Sequence, residues 1–142
     1  MEMKKIVTQS VIETQRFDLR PVRKSDLGLI ELCTSDLRVA RMTTSIPHPI
    51  PPGMTEGFVA RAMADERDED IWIMDGLKSD RAEVMGLIAL TRLDRNQSEV
   101  TYWVAPHFWN TGLASDALQA LIGANPMAVS YTHLTLPTIL LV

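Results

Sequence analysis

The chain has 142 residues, a formal net charge of -4 and a hydrophobic share of 46%, enough apolar material for one domain with a buried core. It has no run of about eighteen apolar residues, and MEMKKIVTQS at its start lacks the long apolar stretch of a secretory signal, which argues against membrane insertion and export and for a cytoplasmic protein. The mildly acidic balance without basic clusters argues against nucleic acid as a partner, and a single cysteine, Cys33, excludes an internal disulfide and a cysteine-based metal site.

From Thr14 to Pro21 the run TQRFDLRP sets Phe17 and Leu19 against Asp18 and Arg20, the period of a strand, which Pro21 ends. In VRKSDLGLIELC, Ser25 or Asp26 caps a helix that carries Leu27, Leu29, Ile30 and Leu32. Cys33 lies on that helix among apolar neighbours and reads as a buried structural thiol rather than a nucleophile. A shorter helix is expected from Leu37 to Met42, beginning near Ser35 or Asp36. Thr43 to Thr55 holds four prolines and a glycine, so a semi-rigid loop is expected there. His48 sits in that loop between two prolines, as a surface residue or as a substrate contact. Phe58, Val59, Ala62 and Met63 then mark an amphipathic helix capped by Thr55. The acidic run from Asp65 to Asp70 reads as its solvated end, which can also attract a cationic substrate.

Two strands are expected next, Asp70 to Asp75 and Glu83 to Leu93, joined by a hairpin loop at GLKSDRA. Gly86 inside the second marks a bulge or a small packing position. A turn over 94–97 leads to the most informative stretch. From Gln97 to Val104, Ser98, Val100, Tyr102 and Val104 alternate with Glu99, Thr101 and Trp103, which is a strand. Pro106 stops the ladder, Asn110, Thr111 and Gly112 supply turn chemistry, and Ala114, Ala117, Leu118, Leu121 and Ile122 fall at helical spacing from about Leu113. A helix opened by such a turn offers unpaired N–H groups and the positive end of its dipole to an anion, most usefully a phosphate. No spacing of His, Asp, Glu or Cys points to a metal.

Glu99, Tyr102, Trp103, Pro106, Trp109, Gly112 and Ala114 follow the order E-x-x-Y-W-x-x-P, then W-x-x-G-x-A. This run resembles the acetyl-CoA-binding loop of the GNAT N-acetyltransferases, in the branch resembling the ribosomal-protein-alanine acetyltransferases. The T-x-R-x-x-L-R-P run from Thr14 to Pro21 resembles the opening of the same branch. The chain departs from the pattern at Asn110, where glycine is usual, and at Asp116, where glutamate is usual. Asn tolerates the left-handed region better than most residues, so the loop can survive the first change.

The resemblance implies an α/β (α+β) fold of GNAT type, a mostly antiparallel mixed sheet flanked by helices. It implies acetyl transfer from acetyl-CoA, a co-substrate needing no metal, to a primary amine such as a protein amino terminus or a small-molecule amine. Backbone N–H groups of Asn110, Thr111, Gly112, Leu113, Ala114 and Ser115 would hold the pyrophosphate. Backbone groups of Trp103 and Val104 would pair with the pantetheine arm like a missing strand. Glu99 would act as general base or is simply a polar residue on a strand face, and His48 falls on the acceptor side. A non-catalytic acyl-CoA-binding module or an inactive truncated fragment is the alternative.

All 14 basic and 18 acidic residues precede Ala117. One explanation is a buried helix followed by a buried strand over Ala128 to Leu136. The other, taken here, is a family domain over 1–127 that lacks its final helix and closing strands, followed over 128–142 by a tail resembling a translated adapter or read-through sequence, which can still pair as a strand.

Overall fold

In the computed structural model, which describes residues 9–43, 46–94, 97–124 and 133–135, the period-two segments form one six-stranded sheet whose spatial order follows the sequence. Its strands are β1 (Ile12–Glu13), β2 (Asp18–Pro21), β3 (Glu69–Asp75), β4 (Gly86–Asp94), β5 (Gln97–Val104) and β6 (His133–Thr135). The first five pair antiparallel, whereas β6 runs parallel to β5. Helices α1 (Leu27–Thr34), α2 (Leu37–Ala40) and α3 (Met54–Ala62) lie between β2 and β3 in sequence, and α4 (Leu113–Ala124) lies between β5 and β6.

Alternation along the strands sorts the core into two layers. Leu19, Trp72, Ile88, Val100 and Tyr102 pack with Leu113, Ala117 and Leu121 of α4. On the opposite face Ile71, Ile73, Leu87, Ala89 and Trp103 pack with Ile30 of α1 and with Val59 and Ala62 of α3. Because both faces are covered, IWIM of β3 is apolar without interruption. Cys33 on α1 is half-buried, and burial, with the charge of Asp36 added, pushes its thiol up, as expected of a packing residue.

Several boundaries differ from the sequence reading. Thr14 to Phe17 is a turn, not strand. The Thr14 amide and hydroxyl donate to Phe17 O at 2.9 and 2.7 Å, and that hydroxyl accepts from Phe17 N. Helix α3 is capped by Gly53, not Thr55, because the cap position has φ +82°, where a side chain would be strained; Thr55 is buried inside the first turn. The acidic run is not all solvated either. Asp70 is buried and accepts from Arg67 Nε at 2.9 Å, while Glu69 opens β3. Strand β4 begins at Gly86 rather than Glu83; Met85 just before it bonds irregularly to both neighbours, its N–H donating to Met74 O at 2.8 Å and its carbonyl accepting from Ala105 N at 2.9 Å. Of the strand expected over 128–136, only His133–Thr135 is described; the remainder of 125–142 lies outside the described residues.

Arg20 was expected on the polar face of its strand, yet it is 3% exposed. Its Nε donates to Asp75 at 2.6 Å, and its Nη1 and Nη2 fork onto the two Asp26 oxygens at 2.9 Å each. Asp26 also accepts from Arg23 N at 2.7 Å. The cluster joins β2, the start of α1 and the end of β3 at one buried point. Burial works to raise the Asp26 carboxyl, but the bonds from Arg20 and Arg23 outweigh it and hold the group below the usual carboxylate range. Arg20 is likewise driven up by its two carboxylates against the effect of burial.

Replacing Arg20 with Met leaves two carboxylates without their cation, so urea denaturation should show a loss of about 3–5 kcal/mol. Because the folded Asp26 value is depressed, its contribution is fully present above the unfolded carboxylate value of about 3.9 and is lost as pH falls through the folded value. Asp26→Asn should therefore flatten that acid limb of the stability curve.

Candidate functional site

The site grows from the direction in which β5 presents its peptide groups. Ala105 N donates to Met85 O at 2.9 Å, and a Cβ on Gly86 would sit 2.5 Å from Trp103 O. In an antiparallel ladder of this register, residues 99, 101 and 103 therefore face β4 with their main-chain groups, and residues 98, 100, 102 and 104 face the other edge. There the described pairing with β6 covers only residues 97–99 of β5. The edge beyond is formed by the peptide groups of Tyr102 and Val104. Trp103, expected to offer its backbone there together with Val104, gives it to β4, and Tyr102 takes that place. Val104 O already accepts a bond from Trp109 Nε1 at 2.7 Å, which leaves one lone pair on that oxygen.

Past Val104 the chain makes a short helical turn over Pro106–Phe108 and then places two residues in the left-handed region, Asn110 at φ +65° and Gly112 at φ +79°. Thr111 Oγ1 closes the turn onto Phe108 O at 2.6 Å. The first α4 bond runs from Asp116 N to Gly112 O at 3.0 Å. Trp109 at φ -65°, ψ 152° and Asn110 at φ +65° form the middle of a turn that directs Thr111 N back toward Phe108 O, while among the described residues no acceptor meets the N–H groups of Asn110, Gly112, Leu113, Ala114 or Ser115. A cleft of about 300 Å³ opens onto Gly112, Leu113, Ala114 and Ser115, with Val104 and Trp109 on its other side. Nothing lies within 4 Å of where a Gly112 Cβ would be, so backbone and ligand can approach closely. Arg16 reaches over from the β1–β2 turn to Thr111 O and the Asp116 carboxylate; both ends of this ion pair are about half exposed, so it contributes little to stability.

A second cleft, of about 290 Å³, lies on the α1–α3 face of the sheet, walled by Ile30, Ile46, Phe58, Glu69, Thr101 and Trp103. Glu99 shares that face, half-buried and two residues before Thr101, and its carboxylate has no hydrogen bond or ion pair among the described residues. The cleft wall itself carries Glu69 instead. His48 is exposed; the proline-rich loop contributes Ile46 and Ile50 to the wall rather than its histidine. Sequence reading passed over Glu69 as part of a charged run, although it stands in phase with Ile71 and Ile73. No group of His, Cys, Asp and Glu among the described residues is arranged to hold a metal, and no described helix is long and apolar enough to cross a membrane.

A family model described as the acetyltransferase (GNAT) domain matches residues 16–139. No curated protein matches the sequence. Among solved structures, the GNAT-family acetyltransferase from Bacillus anthracis is similar at 21% identity with a TM-score of 0.66, over 84% of this chain and 69% of that one. The RimL ribosomal L7/L12 alpha-N-protein acetyltransferase in complex with coenzyme A gives 16% identity and a TM-score of 0.68, over 81% and 67%. The microcin C7 self-immunity acetyltransferase MccE in complex with acetyl-CoA and AMP gives 13% and 0.65, over 78% and 63%. At these identities the likeness establishes the fold, and the chain spans about two thirds of the length of each.

Gly86→Ala places a methyl group against Trp103 O at a distance that no real Cβ tolerates. Either β5 shifts away from β4 or the pair separates, so the denaturation midpoint should fall by the equivalent of about 1–3 kcal/mol. A stability equal to that of the parent would show that Gly86 does not set the position of β5.

Proposed function

The chain belongs to the GNAT acetyltransferase family, and from that premise we propose that it moves an acetyl group from acetyl-CoA to a primary amine, on a protein amino terminus or a small molecule. The observation that supports this reading is the set of N–H groups at the start of α4, from Gly112 to Ser115, that have no partner among the described residues and open on a cleft that Val104 at the end of β5 also lines. Folding has left donors and a helix dipole pointing at open space, a setting that suits a diphosphate. The peptide groups of Tyr102 and Val104 offer the adjoining pantetheine arm a strand-like edge. Acetyl-CoA, when bound, supplies the thioester: the amine nitrogen forms a C–N bond to the acetyl carbon, the C–S bond breaks, and the sulfur leaves with a proton as the thiol.

The protein's part is to position the acceptor and to take a proton from it. Glu99 is assigned that proton, directly or through water, since it lies on the strand that feeds the edge and has no hydrogen bond or ion pair among the described residues. Freeing an α-amino group at neutral pH costs about 1 kcal/mol, whereas a lysine costs about 4.6. A lone carboxylate therefore suits an acceptor of the first kind better. On this reading the protein works in the cytoplasm.

Coenzyme A at a hundred times its Kd should raise the Tm by roughly 5–10 °C. Gly112→Glu should abolish that shift by placing a carboxylate in the cradle, while Gly112→Asn, which tolerates the left-handed region, should keep it. A full shift with Gly112→Glu would mean that the diphosphate sits elsewhere. With an amine acceptor supplied, Glu99→Gln should lower kcat by about 10²–10⁴-fold. Binding of CoA with no turnover by the parent chain would favour a non-catalytic CoA-binding module.

A further inference from the structure

Asp116 stands in the first turn of α4, and its N–H makes the first bond of that helix, to Gly112 O at 3.0 Å. A carboxylate so placed favours the positive end of the helix dipole and, by the same charge, opposes any further anion seated there. The residues that open the cleft to a diphosphate, Gly112 to Ser115, are thus followed directly by a repulsive charge. Arg16 answers it. One nitrogen, Nη2, donates to the Asp116 carboxylate and, at 3.3 Å, to Thr111 O, so the cation rests against the turn itself. Arg81 lines the same small cavity of about 110 Å³ as Arg16 and Thr111, yet its side chain bonds to neither Thr111 O nor Asp116.

The main chain that carries Arg16 is fixed from a third segment. In the β3–β4 connection, Ser79 Oγ donates to Arg16 O at 2.7 Å, and Lys78 Nζ donates to Thr14 O at 2.6 Å and to Asp18 at 2.8 Å. Lys78 and Asp18 neutralise one another, which leaves Arg16 to face Asp116. With both ends of the Arg16–Asp116 pair about half exposed, this arrangement adds little to the stability of the fold, so its consequence lies in what the turn can bind. Resting on the acetyl-transfer reading and its diphosphate site, we propose that Arg16 is a positioning residue for coenzyme A that acts through Asp116. It cancels the carboxylate's charge at the start of α4, and the diphosphate then meets the N–H groups of Gly112 to Ser115 without repulsion.

The test measures the Kd of coenzyme A by calorimetry at low ionic strength, for the full chain and for Arg16→Ala, Arg16→Lys, Asp116→Asn and the double variant Arg16→Ala with Asp116→Asn. Arg16→Ala should weaken binding about tenfold while the Tm without ligand hardly moves. Arg16→Lys keeps the charge and most of the affinity. The double variant carries neither charge and should bind within about twofold of the parent, a rescue that a purely structural role of Arg16 does not produce. In 1 M salt the gap between Arg16→Ala and the parent should close, because screening then acts within about 3 Å. Unchanged binding by Arg16→Ala overturns the proposal, and so does a double variant as weak as Arg16→Ala, which would mean that Arg16 touches the ligand or braces Thr111 instead. A parent chain that fails to bind coenzyme A would strike at the diphosphate reading, so the two failures are distinct.

Discussion

A main-chain N–H that folding leaves unpaired must be met by something other than the protein, and four in succession, from Gly112 to Ser115, are left so among the described residues. Two local choices enforce this. Asn110 and Gly112 both occupy the left-handed region, which turns the chain sharply enough to start α4 directly after β5. The first intrahelical bond then comes only at Asp116 N. The rest of the molecule can be understood as holding that turn against the end of one strand.

Holding it is mostly the work of apolar packing. Leu113, Ala117 and Leu121 are buried in the layer that includes Val100 and Tyr102 of β5, so α4 cannot slide without exposing its whole inner stripe. The exposed Arg16–Asp116 pair adds a tether but little free energy. On the far side of the sheet the Arg20, Asp26 and Asp75 cluster is of a different kind. It is buried, forked and fully bonded, and breaking one member leaves the others charged and dry. This corner joins β2, β3 and the start of α1 and lies away from β5.

The two clefts divide the chemistry by strand alternation. Peptide groups of Tyr102 and Val104 point in the plane of the sheet toward the edge that meets the turn before α4, while the side chains of Thr101 and Trp103 project onto the α1–α3 face and line the other cleft. One strand thus presents main chain to one cleft and side chains to the other. The indole of Trp109, bonded to Val104 O, lines the cleft at the start of α4.

Much of this was legible in the residues. The limits of β5 and the start of α4 agree with the alternation and spacing of the sequence, because each is a local property of a few dihedral angles. Asn110 in the left-handed region was legible for the same reason. The start of α3 was not: Thr55 looks like a cap in isolation, but Gly53 alone accepts the required φ. Nor could spacing reveal that Arg20 is buried, since its partners Asp26 and Asp75 come from different elements and only the sheet brings them together. The same holds for Glu69, which an acidic stretch disguises until strand pairing sets it beside Thr91 and over the apolar cleft. The sequence by itself determined the order of the main strands and helices and the left-handed turn that opens α4; the tertiary structure decided which peptide groups of β5 face away from β4 and which carboxylate lines the cleft, because ladder phase and cross-strand proximity are properties of pairing between distant segments.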